Sequence, residues 1–216
     1  MKKSTIIILT IISTILSLTI TLASYFGITR YFKIKFSNSS DNLIENYHKL
    51  EKHDDSRIVV SVATKIENIN NIRPMINSIL DQTVKVSQIY LVLENNQDHK
   101  IPEYIKNTVN ICLAGKNYGE GTSIVPLLLN EKECDTTIIA LKDNVIYGKD
   151  YLQILLEERD KNPNKILYDN KKYSILFKPE YYDCNIINRK TKKYNLDWFL
   201  NKSQNKVVIY NENYGY

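Results

Sequence analysis

From about residue 57 onward, short apolar runs alternate with amphipathic stretches. Four runs rich in β-branched residues predict buried strands, at 57–63, 88–94, 109–113 and 136–141. Apolar residues at helical spacing predict helices over 72–80, 122–130, 150–159 and 196–201. Further strand-like pieces lie at 165–168, 173–177 and 207–210. Because strands alternate with helices and are continuously apolar, we predict an α/β fold, a mainly parallel mixed sheet with helices on both faces.

The amino-terminal segment has a different pattern. Residues 4–29 carry no charged side chain, and these 26 residues are enough to span about 30 Å of hydrocarbon. We predict that residues 1–35 form an uncleaved, single-pass membrane anchor with its flanks. A cleaved signal peptide is the alternative, because Leu22-Ala23-Ser24 offers small residues, although a signal's apolar region usually runs only about 7–15 residues. The numbers of basic residues on the two sides of the predicted span are nearly equal. We favour an amino terminus on the inner side of the membrane and a domain that is luminal or extracytoplasmic.

Residues 36–56 are polar and carry no strand pattern. We interpret them as a stem with a short helix near 43–50. Residues 36–216 are enough for one globular domain and too few for two, and we assign the α/β domain to residues 57–216.

Charge narrows the set of partners. The chain has 29 basic and 24 acidic residues, a formal net charge of +5. Five basic residues and no acidic ones lie in the first 35 positions, so the rest of the chain is neutral. A neutral body argues against a nucleic-acid partner, since phosphate binding depends on neutralising basic groups. The three cysteines have no CxxC spacing, which argues against a zinc site.

Polar residues cluster where the predicted strands end. In open parallel sheets, ligands bind beyond the carboxyl ends of the strands, which here are followed by loops 64–68, 94–96, 116–121 and 142–144. Lys142-Asp143-Asn144 offers a carboxylate and an amide oxygen, ligands that a hard divalent cation accepts together with substrate phosphates. Alternatively, Asp143 and Asn144 are turn residues that end the strand.

Three segments resemble one family. Ser78-Ile79-Leu80-Asp81-Gln82-Thr83 is similar to a Ser-Ile-Leu-x-Gln-Thr segment of GT-A type glycosyltransferases, close to family-two enzymes. Residues 117–123 resemble that family's Asp-Tyr-Gly-Pro-Ala-Thr-Lys stretch, and residues 142–152 resemble its Asp-Asp-Asp-Ile-Ile-Tyr-Pro-x-Asp-x-Leu stretch. Their order and spacing agree with the family, and the resemblance covers about residues 57–180.

The resemblance implies a nucleotide-diphosphate sugar donor and a divalent metal, Mn²⁺ or Mg²⁺, at residues 142–144, which we call the aspartate motif. It implies Asp143 and Asn144 as metal ligands. It implies donor contacts at six positions: Thr64, Asn68, Asn117, Ser123, Lys142 and Asp143. It also implies a catalytic base late in the chain, for which Asp197 in Asn195-Leu196-Asp197-Trp198 is the candidate. The alternative is that Asp197 caps a helix beside a core tryptophan.

Several polar positions depart from the family's pattern. Asn144 and Lys142 stand where the family has acids, Asn68 replaces an arginine, Asn117 an aspartate, and Ser123 a lysine. Such exchanges weaken binding of a cation and a diphosphate, although Lys142 can contact phosphate without a metal. We therefore carry two hypotheses. The first is a membrane-anchored glycosyltransferase with a weakened donor site and a glycan or protein acceptor. The second is a catalytically inactive relative that binds a sugar or a partner, or that holds other transferases in a membrane complex.

Overall fold

The computed structural model describes residues 3–25, 27–37, 40–53, 56–94, 101–131, 133, 135–171, 174–182, 194–203 and 207–210. The described α-helices are α1 (Lys3–Tyr25), α2 (Ile28–Phe36), α3 (Asp41–His48), α4 (Arg73–Leu80), α5 (Glu103–Lys106), α6 (Val125–Asn130), α7 (Tyr151–Lys161) and α8 (Leu196–Lys202). The described strands are β1 (Ile58–Ala63), β2 (Gln88–Leu93), β3 (Asn110–Leu113), β4 (Thr137–Lys142), β5 (Ile166–Asp169), β6 (Ser174–Phe177) and β7 (Val207–Tyr210). Short 3₁₀ helices cover Ile66–Asn71, Glu120–Ser123 and Pro179–Tyr181.

These strands form one sheet in the order β3-β2-β1-β4-β6-β5-β7. The central strand β1 pairs in parallel with β2 and β4, and β3 pairs in parallel with β2. Strand β6 runs antiparallel to both β4 and β5, and β7 is parallel to β5. The predicted mixed, mainly parallel α/β fold is therefore confirmed, and this arrangement is consistent with a GT-A type sheet.

Each face of the sheet has its own hydrophobic core. Successive residues of a strand point to opposite faces, so Val60 and Val62 of β1 lie in one core and Val59 lies in the other. The first core includes the buried faces of α4 and α7 and also takes in residues of α2, α3 and α5. The second includes residues of α6, α8 and the 3₁₀ helix Pro179–Tyr181. Burial on both faces explains why the strands are continuously apolar.

The helix predicted over 122–130 is divided in the structure. A 3₁₀ helix occupies Glu120–Ser123, and α6 begins at Val125 with Pro126 in its first turn. Proline lacks an N–H and is tolerated in the first turn of an α-helix but not in its interior. The proline therefore determines where the α-helix begins.

The segment interpreted as a stem contacts the sheet domain. The short helix predicted near 43–50 corresponds to α3. Leu43 and Tyr47 of α3 and Ile34 of α2 are buried in the first core. The Tyr47 hydroxyl accepts a hydrogen bond of 2.9 Å from the Val86 amide, and Ser40 Oγ donates one of 2.7 Å to Asn77 Oδ1. The boundary at residue 57 stays a prediction, but residues before it contribute side chains to the core.

Helix α1 has no buried residue. Among the described residues it is the one helix long and apolar enough to cross a membrane, and it lies near the amino terminus, where a signal sequence has the same properties. Four of its threonines, Thr10, Thr14, Thr19 and Thr21, hydrogen-bond back to carbonyls of the preceding turn, as Thr10 Oγ1 does to the Ile6 oxygen at 2.8 Å. Such bonds satisfy the hydroxyls within the helix.

Candidate functional site at the strand ends

The carboxyl ends of β1 and β4 are joined by a hydrogen bond between two residues that the sequence separates widely. Thr64 follows β1, and Asp143 follows β4. Thr64 Oγ1 donates to Asp143 Oδ2 at 2.7 Å, and the Thr64 amide donates to the Val92 carbonyl of β2 at 3.2 Å. Thr64 is buried, whereas Asp143 is half-buried. Two predicted site residues therefore meet at the edge of the sheet where ligands of parallel sheets bind.

Asn117 lies at the same edge, in the loop after β3. Its Nδ2 donates to Glu94 Oε1 at 2.6 Å, and its Oδ1 accepts from the Gly119 amide at 2.6 Å. Gly119 has φ 69, a left-handed conformation that glycine adopts without steric cost. The Asn117 side chain thus shapes its own turn and connects it to the end of β2. Both of its polar atoms have protein partners.

Glu94 begins the predicted loop 94–96 at this edge, but we had assigned it no role in the site. The signal that would have identified it is an acid directly after an apolar strand. Residues 95 and 96 of the same predicted loop lie outside the described residues. The carboxylates of Glu94 and Asp143 follow β2 and β4, the two strands that flank β1 in parallel, so this edge carries more negative charge than the aspartate motif alone indicates.

Lys142 and Asn144 flank Asp143, and both have exposed side chains. No group of three or more His, Cys, Asp or Glu side chains suited to a metal occurs among the described residues. The aspartate motif offers one carboxylate and one amide oxygen, which fits Mg²⁺ or Mn²⁺ only where substrate phosphates complete the coordination. When bound, such a cation would offset the charge of a diphosphate beside Asp143.

Ser123 and Asn68 are placed differently. The Ser123 carbonyl accepts a hydrogen bond of 2.5 Å from Ser61 Oγ of β1, so the 3₁₀ helix Glu120–Ser123 lies across that strand. Asn68 is exposed in the 3₁₀ helix Ile66–Asn71. No hydrogen bond within the described part of the chain joins either side chain to Asp143 or Thr64.

The segment 78–83 supports the loop that follows the aspartate motif. Buried Gln82 donates from Nε2 to the Gly148 carbonyl at 2.6 Å, and its Oε1 accepts from the Leu152 amide at 2.9 Å. Ser78 Oγ accepts from the Tyr147 amide at 3.1 Å, and the Thr83 amide donates to the Lys149 carbonyl at 3.1 Å. Two of the three segments that resemble the glycosyltransferase family are thus connected by hydrogen bonds. We had not assigned Ser78 or Gln82 a role.

Tyr147 completes this support. Its hydroxyl accepts a hydrogen bond of 2.9 Å from the Lys142 amide, at the end of β4. Burial raises the pKa of Tyr147 far above its ordinary value, with the nearby carboxylates of Asp169 and Asp143 adding to the shift. The phenol therefore stays neutral and holds the backbone on the amino-terminal side of Asp143.

Asp197 is exposed in the first turn of α8, where a negative charge is favourable beside the helix amino terminus. The capping side chain is Asn195, whose Oδ1 accepts from the Trp198 amide at 3.0 Å. The Leu196 amide donates to Glu120 Oε2 at 2.9 Å, which attaches α8 to the 3₁₀ helix Glu120–Ser123. Among the described residues, no hydrogen bond connects Asp197 with Asp143, Thr64 or Asn117.

Two cavities lie at the opposite edge of the sheet. One of about 340 Å³ is lined by residues including Thr137 and Arg159, and one of about 380 Å³ by residues including Arg57 and Glu131. Arg57 and Thr137 stand at the amino ends of β1 and β4. These cavities are therefore separate from the site at the carboxyl ends.

Comparison with known proteins gives limited similarity. No protein-family model and no curated protein sequence matches the chain. Among solved structures, the chain is similar to a provisionally named nucleotide-diphospho-sugar transferase from Desulfovibrio desulfuricans G20, with 9% identity and a TM-score of 0.45. The match covers 72% of this chain and 80% of that chain.

Proposed function

We propose that this chain is a membrane-anchored glycosyltransferase-like protein that transfers a sugar from a nucleotide-sugar donor to an acceptor through a weakened donor site. The observation that carries this proposal is the 2.7 Å hydrogen bond between Thr64 Oγ1 and Asp143 Oδ2 at the strand ends. It supports a polar site at the edge where nucleotide ligands of such sheets bind. The motif resemblance of the connected segments 78–83 and 142–152 supports the same chemistry.

The roles that we assign follow from charge. In the proposed reaction, an acceptor oxygen attacks the anomeric carbon of the donor sugar and the bond to the nucleoside diphosphate breaks. We assign Lys142 to the diphosphate and Asp143 to the donor, with Asn144 and a divalent cation as a further, weak contribution. Asp197 is our candidate for accepting the proton of the acceptor hydroxyl, because α8 is attached to the turn that lies across β1.

A second candidate is an inactive relative that binds a sugar or a partner. It is favoured by Asn117, whose two polar side-chain atoms are occupied by Glu94 and the Gly119 amide. It is favoured also by the aspartate motif, in which Asp143 is the only carboxylate. A neutral amide binds a cation more weakly than a carboxylate does.

Donor binding tests both candidates. The full chain in lipid nanodiscs is titrated with UDP- and GDP-sugars, with and without Mn²⁺. The shift in melting temperature measures binding of the donor, and release of its sugar by hydrolysis measures transfer. Asp143→Asn is the test variant, and Asp135→Asn is its control, an exposed aspartate just before the opposite end of the same strand. We expect Asp143→Asn to weaken binding about tenfold, the effect of losing one charged hydrogen bond, and Asp135→Asn to leave it unchanged.

Each outcome decides between the candidates. Binding together with sugar release supports the enzyme, whereas binding without release supports the inactive relative. No binding of any nucleotide sugar would overturn the enzyme proposal.

We further propose that α1 anchors the chain and that the domain is luminal or extracytoplasmic. The 23 residues of α1 extend about 35 Å at 1.5 Å per residue, which matches about 30 Å of hydrocarbon. We expect the chain to stay with membranes during alkaline carbonate extraction and the domain to be digested by protease added from the extracytoplasmic side. Release by carbonate contradicts the anchor, and protection from that protease contradicts the orientation.

A further inference from the structure

Helix α2 has two opposite faces with different surroundings. Ile34 is buried in the first core, and Arg30 on the same face forms hydrogen bonds of 2.7 Å from Nε to Asp81 Oδ2 and of 3.0 Å from Nη1 to the Tyr147 carbonyl. These contacts attach α2 to α4 and to the loop after Asp143. The helix therefore has a fixed orientation on the domain.

The opposite face is apolar and exposed. Ile28, Phe32 and Phe36 follow each other at four-residue spacing, which lines them up along one side of a helix. Their exposed fractions are 45%, 53% and 64%, and the rings of Phe32 and Phe36 stack with centroids 5.8 Å apart. Apolar side chains grouped in this way on a surface mark a place where the protein contacts another molecule or a membrane. We call these three residues the α2 stripe.

The α2 stripe begins close to the end of α1. Ile28 follows Tyr25 by three residues, so their Cα atoms are at most about 11 Å apart. Gly27, with φ 69, makes the turn between the two helices, and its amide donates to the Ser24 carbonyl at 3.0 Å. If α1 crosses the hydrocarbon, α2 begins where the chain enters the headgroup region.

The charges beside the stripe match that location. Lys33 and Lys35 are exposed, and at 100° per residue they lie on either side of the stripe. Lys35 Nζ lies 5.2 Å from the centre of the Tyr31 ring and donates to the Tyr31 hydroxyl at 3.1 Å. An apolar face bordered by lysines and aromatic rings is typical of a helix that lies in a membrane interface.

We propose that α2 lies in the headgroup region of the bilayer, with the α2 stripe against the acyl chains and Lys33 and Lys35 at anionic headgroups. This inference rests on the proposed anchoring by α1. Because Arg30 fixes α2 to α4, the α4 side of the domain then faces the membrane, and the loop after Asp143 is held close to the bilayer. The α2 stripe thereby fixes the orientation of the domain relative to the bilayer, whereas α1 alone would only tether it.

Tryptophan fluorescence tests this orientation in the full chain. The only tryptophan, Trp198, is replaced by phenylalanine, and one new tryptophan is introduced in that background. Phe32→Trp reports on the stripe, Leu16→Trp on α1, and Leu129→Trp is the control, an exposed residue of α6 on the other face of the sheet. The vesicles contain phosphatidylglycerol and two phosphatidylcholines that are contact quenchers, one brominated on the upper part of its acyl chains and one brominated near the ends of its acyl chains.

We expect Leu16→Trp and Phe32→Trp to lose most of their fluorescence in these vesicles and Leu129→Trp to lose none. Quenching of Leu16→Trp with none for Phe32→Trp overturns the inference and leaves the anchor intact, as when a second copy of the chain covers the stripe. Quenching of neither overturns the anchor and the inference together. Equal quenching of Phe32→Trp without phosphatidylglycerol overturns the part assigned to Lys33 and Lys35.

Discussion

Two buried tyrosine hydroxyls differ in what they contact. The Tyr151 hydroxyl donates to Asp169 Oδ2 at 2.8 Å and also contacts Ser174 Oγ, both on the adjoining hairpin of β5 and β6. The Tyr182 hydroxyl is buried and has no hydrogen-bond partner among the described residues. Burial raises the pKa of both phenols well above the ordinary value. A buried hydroxyl without a partner costs stability that a satisfied one does not.

This difference predicts opposite effects for the same substitution. Tyr151→Phe leaves Asp169 and Ser174 without their shared partner and should lower the free energy of unfolding by about 1–3 kcal/mol. Tyr182→Phe removes a hydroxyl that has no hydrogen-bond partner in the described part of the chain, and it should leave that free energy unchanged or raise it. Urea unfolding of the full chain in detergent micelles measures both. A loss for Tyr182→Phe as large as that for Tyr151→Phe would contradict the assignment.

Gly121 is required by a close approach. A Cβ at this position would lie 2.8 Å from Phe199 Cε2 and 3.0 Å from Tyr194 Cβ, whereas one at Gly148 would have no heavy atom within 4 Å. We expect Gly121→Ala to cost about 1–3 kcal/mol, because it pushes α8 away from the turn that supports it. Gly148→Ala is the matched control and should change stability little. The comparison uses the same urea unfolding, and equal effects would argue against tight packing of α8.

Individual side-chain roles were harder to predict than positions. The sequence indicates that Thr64 and Asp143 follow two strands, and parallel pairing of those strands brings the two residues together. It does not indicate that Asn117 binds Glu94, 23 positions earlier, because that contact depends on the path of the loop. Nor does it distinguish Asn195 from Asp197 as the cap of α8, since both residue types are good caps.

At the scale of elements, the strands and amphipathic helices followed from local pattern. A buried strand between two covered faces has to be apolar at every position, and a helix on such a sheet needs one apolar face. The packing of α2 and α3 did not follow, because the segment is mostly polar and its buried residues Ile34, Leu43 and Tyr47 are widely spaced. Only tertiary contact distinguishes such helices from a solvated stem.

The connection between α4 and the loop before α7 can be tested at Gln82. Gln82→Met keeps the volume and leaves the Leu152 amide without its side-chain partner, whereas the Gly148 carbonyl keeps a bond of 3.3 Å from the Tyr151 amide. We expect a loss of about 2 kcal/mol in the free energy of unfolding, the cost of an unpaired buried amide, and faster hydrogen exchange at the Leu152 amide. Gln153→Met is the control, because Gln153 is only half-buried. Unchanged exchange at Leu152 would show that Gln82 does not support the loop.

At the scale of the whole molecule, buried tyrosines predict a loss of stability in alkali. Burial raises the pKa of Tyr47 from 10.0 to about 12, so the folded state keeps a proton that the unfolded state releases. This contribution is complete below pH 10 and is lost as the pH rises from about 10 to 12. Urea unfolding of the full chain across this range should give a falling free energy. A constant value through pH 12 would contradict the neutral, buried phenols.

The extent of the folded unit gives a further prediction. Ile34, Leu43 and Tyr47 are buried in the first core, and Arg30 pairs with Asp81 at 2.7 Å, so a chain that starts at residue 57 lacks four side chains that contact the domain. Burying one large apolar side chain contributes about 1.5–3 kcal/mol before chain entropy is subtracted. We expect a chain of residues 57–216 to be several kcal/mol less stable than one of residues 27–216, and to bind a dye that reports exposed apolar surface.

The matched control for these two chains is a third one of residues 27–216 that carries Leu43→Ala and Tyr47→Ala. It keeps the length of the longer chain and removes two of the buried contacts, so it separates packing from any effect of chain length. Its stability should fall between those of the other two chains. Equal stability of all three would mean that the domain begins at residue 57 and that α2 and α3 add nothing to its core. If the stabilities of the three chains instead differ in the expected order, the folded unit begins at α2, directly after the apolar helix. A folded unit that begins there is rigidly connected to α1, as an oriented domain requires.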